Sequence, residues 1–194
     1  MSGILMAPTW GAAEAPVAAH AVAFAHNTSP YLSVYPWDDA TGFGAKFTNP
    51  STSPGANAYG VAFRPGVIAL SGDYPYVHAY GWDDVAGFGA KFSNPSTLPP
   101  SRGRGVAFSP GGGAVAVAHI STPYITAYRW SDSTGFGAKF TDPSTLPAGH
   151  AAGVAFSPGG GAVAIAHDTS PFITAYAWSD ATGFGAKFTN PSTL

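Results

Sequence analysis

Along this chain, hydrophobic positions alternate with small or polar ones in short stretches separated by Gly/Pro clusters. Around the middle, Gly105-Val-Ala-Phe108 is followed by Ser-Pro-Gly-Gly-Gly and then by Ala114-Val-Ala-Val-Ala-His119. Period-two alternation broken by a turn cluster predicts two strands joined by a tight turn. After Ile-Ser-Thr-Pro come Tyr124-Ile-Thr-Ala-Tyr-Arg-Trp130 and, past Ser-Asp-Ser-Thr, Gly135-Phe-Gly-Ala-Lys-Phe-Thr141. Their β-branched and aromatic content predicts a third and a fourth strand. The short turns leave no room for a parallel crossover, so the unit reads as an antiparallel four-stranded meander.

The same unit recurs. The segment GFGAKF stands unchanged at 42–47, 87–92, 135–140 and 183–188, each copy five residues after Trp37, Trp82, Trp130 or Trp178. Four units cover one domain, 1–194, at 3–52, 60–97, 105–146 and 153–194. In the first, Gly3-Ile-Leu-Met-Ala-Pro8 matches Gly153-Val-Ala-Phe-Ser-Pro158, and an insertion over about 9–20 carries Trp10 and Glu14. The second is shortened before Ser71, which falls where the others have His26, His119 and His167. Alternation sends Val115, Val117 and His119 to one face of the second strand and Ala114, Ala116 and Ala118 to the other. A sheet apolar on both faces must be sandwiched between two others. Stacking such sheets around an axis makes an all-β propeller of four four-stranded antiparallel blades. Its ends are expected either to close as a four-bladed monomer or to be covered by partners, two chains forming an eight-bladed ring being one way.

Composition narrows the function. Charged residues are 9% of the chain and the net charge is −2, so no basic field awaits nucleic acid. Hydrophobic residues at 45% outweigh the disorder that 25 glycines and 18 prolines would suggest. With no cysteine there is neither a disulfide framework nor a thiolate metal site. Residues 1–20 lack a basic start and are broken by Pro8, Glu14 and Pro16, which argues against a signal peptide, and no apolar run reaches the length of a membrane span.

Two strands closing on a tryptophan and an Asp/Ser-x-Thr-Gly turn, as in Trp130-Ser-Asp-Ser-Thr-Gly135, resemble a WD40-type blade. Trp-Asp becomes Trp-Ser in two units and no Gly-His pair recurs, so the WD40 hydrogen-bonded tetrad is not carried over. The run Ala-Val-Ala-His-x-Ser/Thr-x-Pro-Tyr/Phe-Ile-Thr-Ala-Tyr is similar to propeller-like repeats encoded by bacteriophages and prophages, often beside tail genes. That resemblance implies a virion or extracellular structural or adhesion protein with protein partners, itself included.

No catalytic set, cofactor site or metal site is expected. His26, His119 and His167 lie in different units and read as structural groups that bond neighbouring turns. The acidic residues after each tryptophan suit Asx turns. Lys46, Lys91, Lys139 and Lys187 suit an outer strand guarded against edge pairing, or a ring of cations facing an acidic partner. Trp37, Trp82, Trp130 and Trp178, with Tyr31, Tyr76, Tyr124 and Phe172, are candidate contacts for a partner or a cell-surface glycan. The alternative for the tryptophans is packing between blades, and a repeat lectin is the second functional reading.

Overall fold

The computed structural model describes residues 21–193, all in strands and loops. The first sheet holds β1 (Ala21–Ala25), β2 (Leu32–Asp38) and β3 (Gly42–Phe43). The second holds β4 (Ala58–Arg64), β5 (Val67–Gly72), β6 (Val77–Asp83) and β7 (Gly87–Lys91). The third is β8 (Gly103–Phe108), β9 (Ala114–His119), β10 (Ile125–Ser131) and β11 (Gly135–Lys139). The fourth is β12 (Ala151–Phe156), β13 (Ala162–His167), β14 (Ile173–Ser179) and β15 (Gly183–Lys187). Every pairing is antiparallel between strands adjacent in sequence, which makes four successive blades of a β-propeller. The strand expected over 3–8 and the insertion at about 9–20 lie outside the described residues.

Three apolar cores form, one between each successive pair of sheets. In the middle one, the flat face of the second blade (Val67, Ala69, Val77, Ala79) receives the bulky face of the third (Val115, Val117, Tyr128, Trp130). The opposite face of the third blade, Ala114, Ala116 and Ala118, meets Val163, Ile165, Tyr176 and Trp178 of the fourth. Small residues on one face thus make room for large ones on the next, the interdigitation that dense packing requires. The first and second blades repeat the arrangement through Leu32, Val34, Ile68, Leu70, Tyr80 and Trp82.

Among the described residues, the fourth blade does not close onto the first. Phe188 at the far end is 49% exposed and Phe43 at the near end 57%, whereas the interior equivalent of Phe188, Phe140, is 5% exposed. The closed four-bladed arrangement is therefore set aside, because its fourth interface would bury both rings.

One register differs from the sequence expectation. Gly72, not Ser71, pairs opposite Ala58 where His119 pairs opposite Gly103 and His167 opposite Ala151. The second blade turns between β4 and β5 directly from the Arg64–Val67 pair, where the third and fourth have Ser-Pro-Gly-Gly-Gly, so counting along the chain misplaces the match by one.

Candidate functional site

The tryptophans build the locks between blades. Each of the last three is boxed by three phenylalanines in edge-to-face contact: Trp130 has Phe92, Phe108 and Phe136 at ring separations of 5.1, 5.2 and 5.1 Å. Trp82 has Phe47, Phe63 and Phe88, and Trp178 has Phe140, Phe156 and Phe184. One ring of each trio (Phe47, Phe92 or Phe140) comes from the preceding blade, reaching over just past its fourth strand. Trp82, Trp130 and Trp178 are each only 6% exposed.

That crossing phenylalanine needs a glycine beneath it. Gly87, Gly135 and Gly183 all have positive φ (83°, 79° and 86°), a conformation glycine adopts without penalty. A Cβ on Gly183 would stand 2.7 Å from Phe140, on Gly135 2.8 Å from Phe92, and on Gly87 3.0 Å from Phe47. The glycine that opens each GFGAKF copy therefore ends a turn and also forms the slot for a neighbouring ring.

Polar groups complete the lock. The Trp178 indole N–H donates to Asp180 Oδ1 at 2.7 Å, while Asp180 Oδ2 accepts from Ser109 Oγ at 2.8 Å and from the Gly113 amide at 3.0 Å, both on the third blade. Asp132 likewise joins Trp130 to Arg64 of the second blade, at 2.8 and 2.6 Å. Tyr128 and Tyr176 donate to the carbonyls of Thr97 and Thr145 in the preceding unit, at 2.8 and 2.6 Å. Burial holds the Tyr176 hydroxyl up to a pKa of about 12 and raises those of Tyr80 and Tyr128 further. Asp38 and Asp83 instead cap their turns, accepting from the amides of Ala40 and Thr41 and of Val85 and Ala86. Those amide bonds lower the Asp83 pKa.

The histidines lie at the opposite rim. His119 and His167 place Nε2 2.9 Å from Thr126 and Thr174 on the neighbouring strand, and His26 sits 3.2 Å from Ser33. In the second blade this pair is lost, because a glycine stands in the histidine's place. His78 occupies the register position of Thr126, opposite Leu70 as Thr126 is opposite Val117, and Gly72 occupies that of His119. His78 had no role in the sequence reading because it lies on a different strand from its counterparts. Burial presses the pKa of both His78 and His119 down to about 4.

Beside the histidines, Tyr31, Tyr76, Tyr124 and Phe172 each follow a cis proline and hold φ between 64° and 77°. Their amides close the turn on the carbonyls of Thr28, Asp73, Ser121 and Thr169. Three of these aromatics are half-buried, and Phe172 is exposed. Nothing in the sequence pattern distinguished the left-handed conformation, which bulky residues seldom adopt. The lysines bond three residues on: Lys46 to Asn49, Lys91 to Asn94, Lys139 to Asp142 and Lys187 to Asn190. Among the described residues no three His, Cys, Asp or Glu side chains gather where a metal could be held. None of the helices long and apolar enough to cross a membrane is found there either.

Among the described residues, nothing covers the bulky face of the first blade. Phe24, His26, Ser33, Tyr35 and Phe43 line a hollow of about 490 Å³. The rings of Phe24, Tyr35 and Phe43 touch one another at 5.7 to 6.0 Å, and Trp37 lies 5.0 Å from Phe43. Equivalent positions in the later blades are covered by the blade before.

Blades, locks and rims together define a propeller repeat array, and solved structures bear this out at the level of fold. A Bacteroides uniformis protein assigned provisionally as a 6-phosphogluconolactonase matches with a TM-score of 0.64 and 17% identity, over 91% of this chain and 56% of that one. A Lactobacillus plantarum protein matches at 0.63 and 18%, over 89% and 54%. A chain of a nidogen/laminin complex matches at 0.58 and 14%, over 88% and 62%. The chain thus spans little more than half the length of these structures. No protein-family model matches it, and no curated protein does.

Proposed function

We propose that this chain is a non-enzymatic structural or adhesion component whose blades offer a rigid repeated surface for packing on other proteins or for attachment. The phage and prophage resemblance of its repeats favours a virion, with a tail-associated or otherwise extracellular place. The observation that carries the proposal is the use of the recurring chemistry. In unit after unit, tryptophan, aspartate, lysine and histidine bond within the blade or to the one before, while among the described residues an aromatic sheet face stays uncovered. An enzyme gathers unlike residues at one point, and near-identical units present like residues instead. The name of the Bacteroides protein raises a lactonase reading, but at 17% identity the likeness extends to the fold alone. A lectin reading draws nothing from Trp82, Trp130 and Trp178, which have no free face for a sugar.

A mass-spectrometric inventory of purified virions from the source tests the proposal. The chain is expected at a fixed ratio to the other particle proteins. Its absence from particles while present in the lysate overturns the virion assignment. Turnover of 6-phosphogluconolactone by the purified chain overturns the non-enzymatic one.

A further inference from the structure

Each interior lock has two halves, and the chain's two end faces carry one unmatched half apiece. The ring-giving half is a phenylalanine just past the fourth strand, with the alanine face beside it. The ring-taking half, on the next blade, is the tryptophan, the positive-φ glycine and the fourth-strand phenylalanine. The fourth blade carries a ring-giving half that no described residue covers. Phe188 is 49% exposed, Ile173 is 38% exposed where Ile125 is fully buried, and Ala166 is exposed where Ala118 is buried. The first blade begins with a ring-taking half: Trp37, Phe43 and Tyr35, with Gly42 at φ 79°. A Cβ on Gly42 would meet only its own Trp37, at 4.0 Å, so among the described residues no ring fills this slot.

We infer that the Phe188 face of one chain docks on the Trp37–Gly42 face of a second copy, and that two copies close head to tail into one ring. The same contact occurs three times within the chain, so the two end faces are complementary by construction. The polar groups match as well. Asp39 already takes the Trp37 indole N–H at 2.9 Å, as Asp180 takes that of Trp178. Its second oxygen is placed to accept from Ser157 and Gly161 of the other copy, the counterparts of Ser109 and Gly113. Tyr35 is placed to donate to the Thr193 carbonyl, as Tyr128 and Tyr176 do to Thr97 and Thr145. One further copy is the smallest assembly in which every ring-giving face meets a ring-taking face. The inference deepens the assembly part of the proposed function by naming a partner. It stands on the geometry between blades, so absence from virions would leave it intact.

Light scattering on the purified full chain is expected to give twice the 19.7 kDa chain mass. A monomer at tens of micromolar overturns the inference, whether residues 1–20 cover the first blade or the face stays bare. A series of longer polymers keeps the contact and overturns ring closure. Phe188→Glu, at a half-exposed position, is expected to weaken association on the order of 100-fold while the circular dichroism spectrum is kept. Val85→Glu, on the exposed turn between β6 and β7 of the interior second blade, is expected to leave association unchanged. Equal loss in both variants, or in neither, overturns the inference. The cysteine-free chain permits a separate test that leaves both rings in place, with Ser157→Cys and Asp39→Cys carried on differently tagged copies; their interior counterparts, Ser109 and Asp180, are in contact at 2.8 Å. Oxidation is expected to join 157 to 39 across copies, and a 157–157 bridge as the main product overturns the head-to-tail arrangement.

Discussion

His119 and His78 show how much a single buried polar residue can decide. Each sits against the next strand at one rim, desolvated enough that protonation must wait until a pH of about 4. The unfolded chain protonates the same groups near pH 6.5, so between these values it binds more protons than the folded chain does. Their contribution is therefore fully present above about pH 6.5 and is lost as pH falls toward 4. The loss is on the order of 3 kcal/mol for each. A fall in melting temperature from pH 7 to pH 4.5 is expected. His119→Gln should flatten part of it, and an unchanged slope in that variant would show that other groups carry the acid sensitivity. The glycines invite a paired comparison. Gly66 and Gly135 have nearly the same φ, 80° and 79°, but a Cβ meets nothing at Gly66 and Phe92 at Gly135. Alanine at 66 should cost about 1 kcal/mol, for backbone strain alone. Alanine at 135 should cost a further 1–3 kcal/mol, roughly, for overpacking. Equal costs in denaturant titrations would mean that the slot yields easily.

At the scale of strands and blades, the flat and bulky faces were legible because alternation alone sorts them. Ala116 is fully buried in the core between the third and fourth blades. Ala116→Phe is accordingly expected to lower stability by about 1–3 kcal/mol, and an unchanged melting curve would contradict the packing. Asp180→Ala removes the shared acceptor of Trp178, Ser109 and Gly113, leaving partly buried donors unmatched. It should destabilise by roughly 1–3 kcal/mol and loosen the fourth blade first. Hydrogen exchange should then rise in β12 to β15 more than in β4 to β7, and a uniform rise would argue against a lock acting between two particular blades. The aspartates themselves were readable as turn caps, as Asp38 and Asp83 are. The bridging of Asp132 and Asp180 was not, because their partners lie one repeat away in sequence.

At the scale of the whole molecule, the described residues leave two apolar end faces uncovered, a state isolated chains seldom tolerate. If copies associate through those faces, binding favours the folded form by mass action and melting becomes concentration-dependent. A rise of a few degrees over a hundredfold increase in concentration is expected, and it should vanish in Phe188→Glu. A chelator should leave the melting curve unmoved, since the described residues bring no ligand set together. A drop reversed by one metal ion would contradict that.

The sequence by itself determined the all-β character, the four units and the alternation that makes each sheet two-faced. Those depend on residues within a few positions of one another, and strand periodicity and turn chemistry act over that range. Tertiary structure alone decided that Gly72 rather than Ser71 matches the histidine, since hydrogen-bond register resumes only after the turn has closed. It also turned Gly42, Gly87, Gly135 and Gly183 into ring slots, three of them filled from the preceding blade. The same repeat letters therefore carry a buried lock in the interior and an exposed face at an end. What separates them is the presence of a neighbouring blade, and an identical local sequence cannot encode its own neighbour.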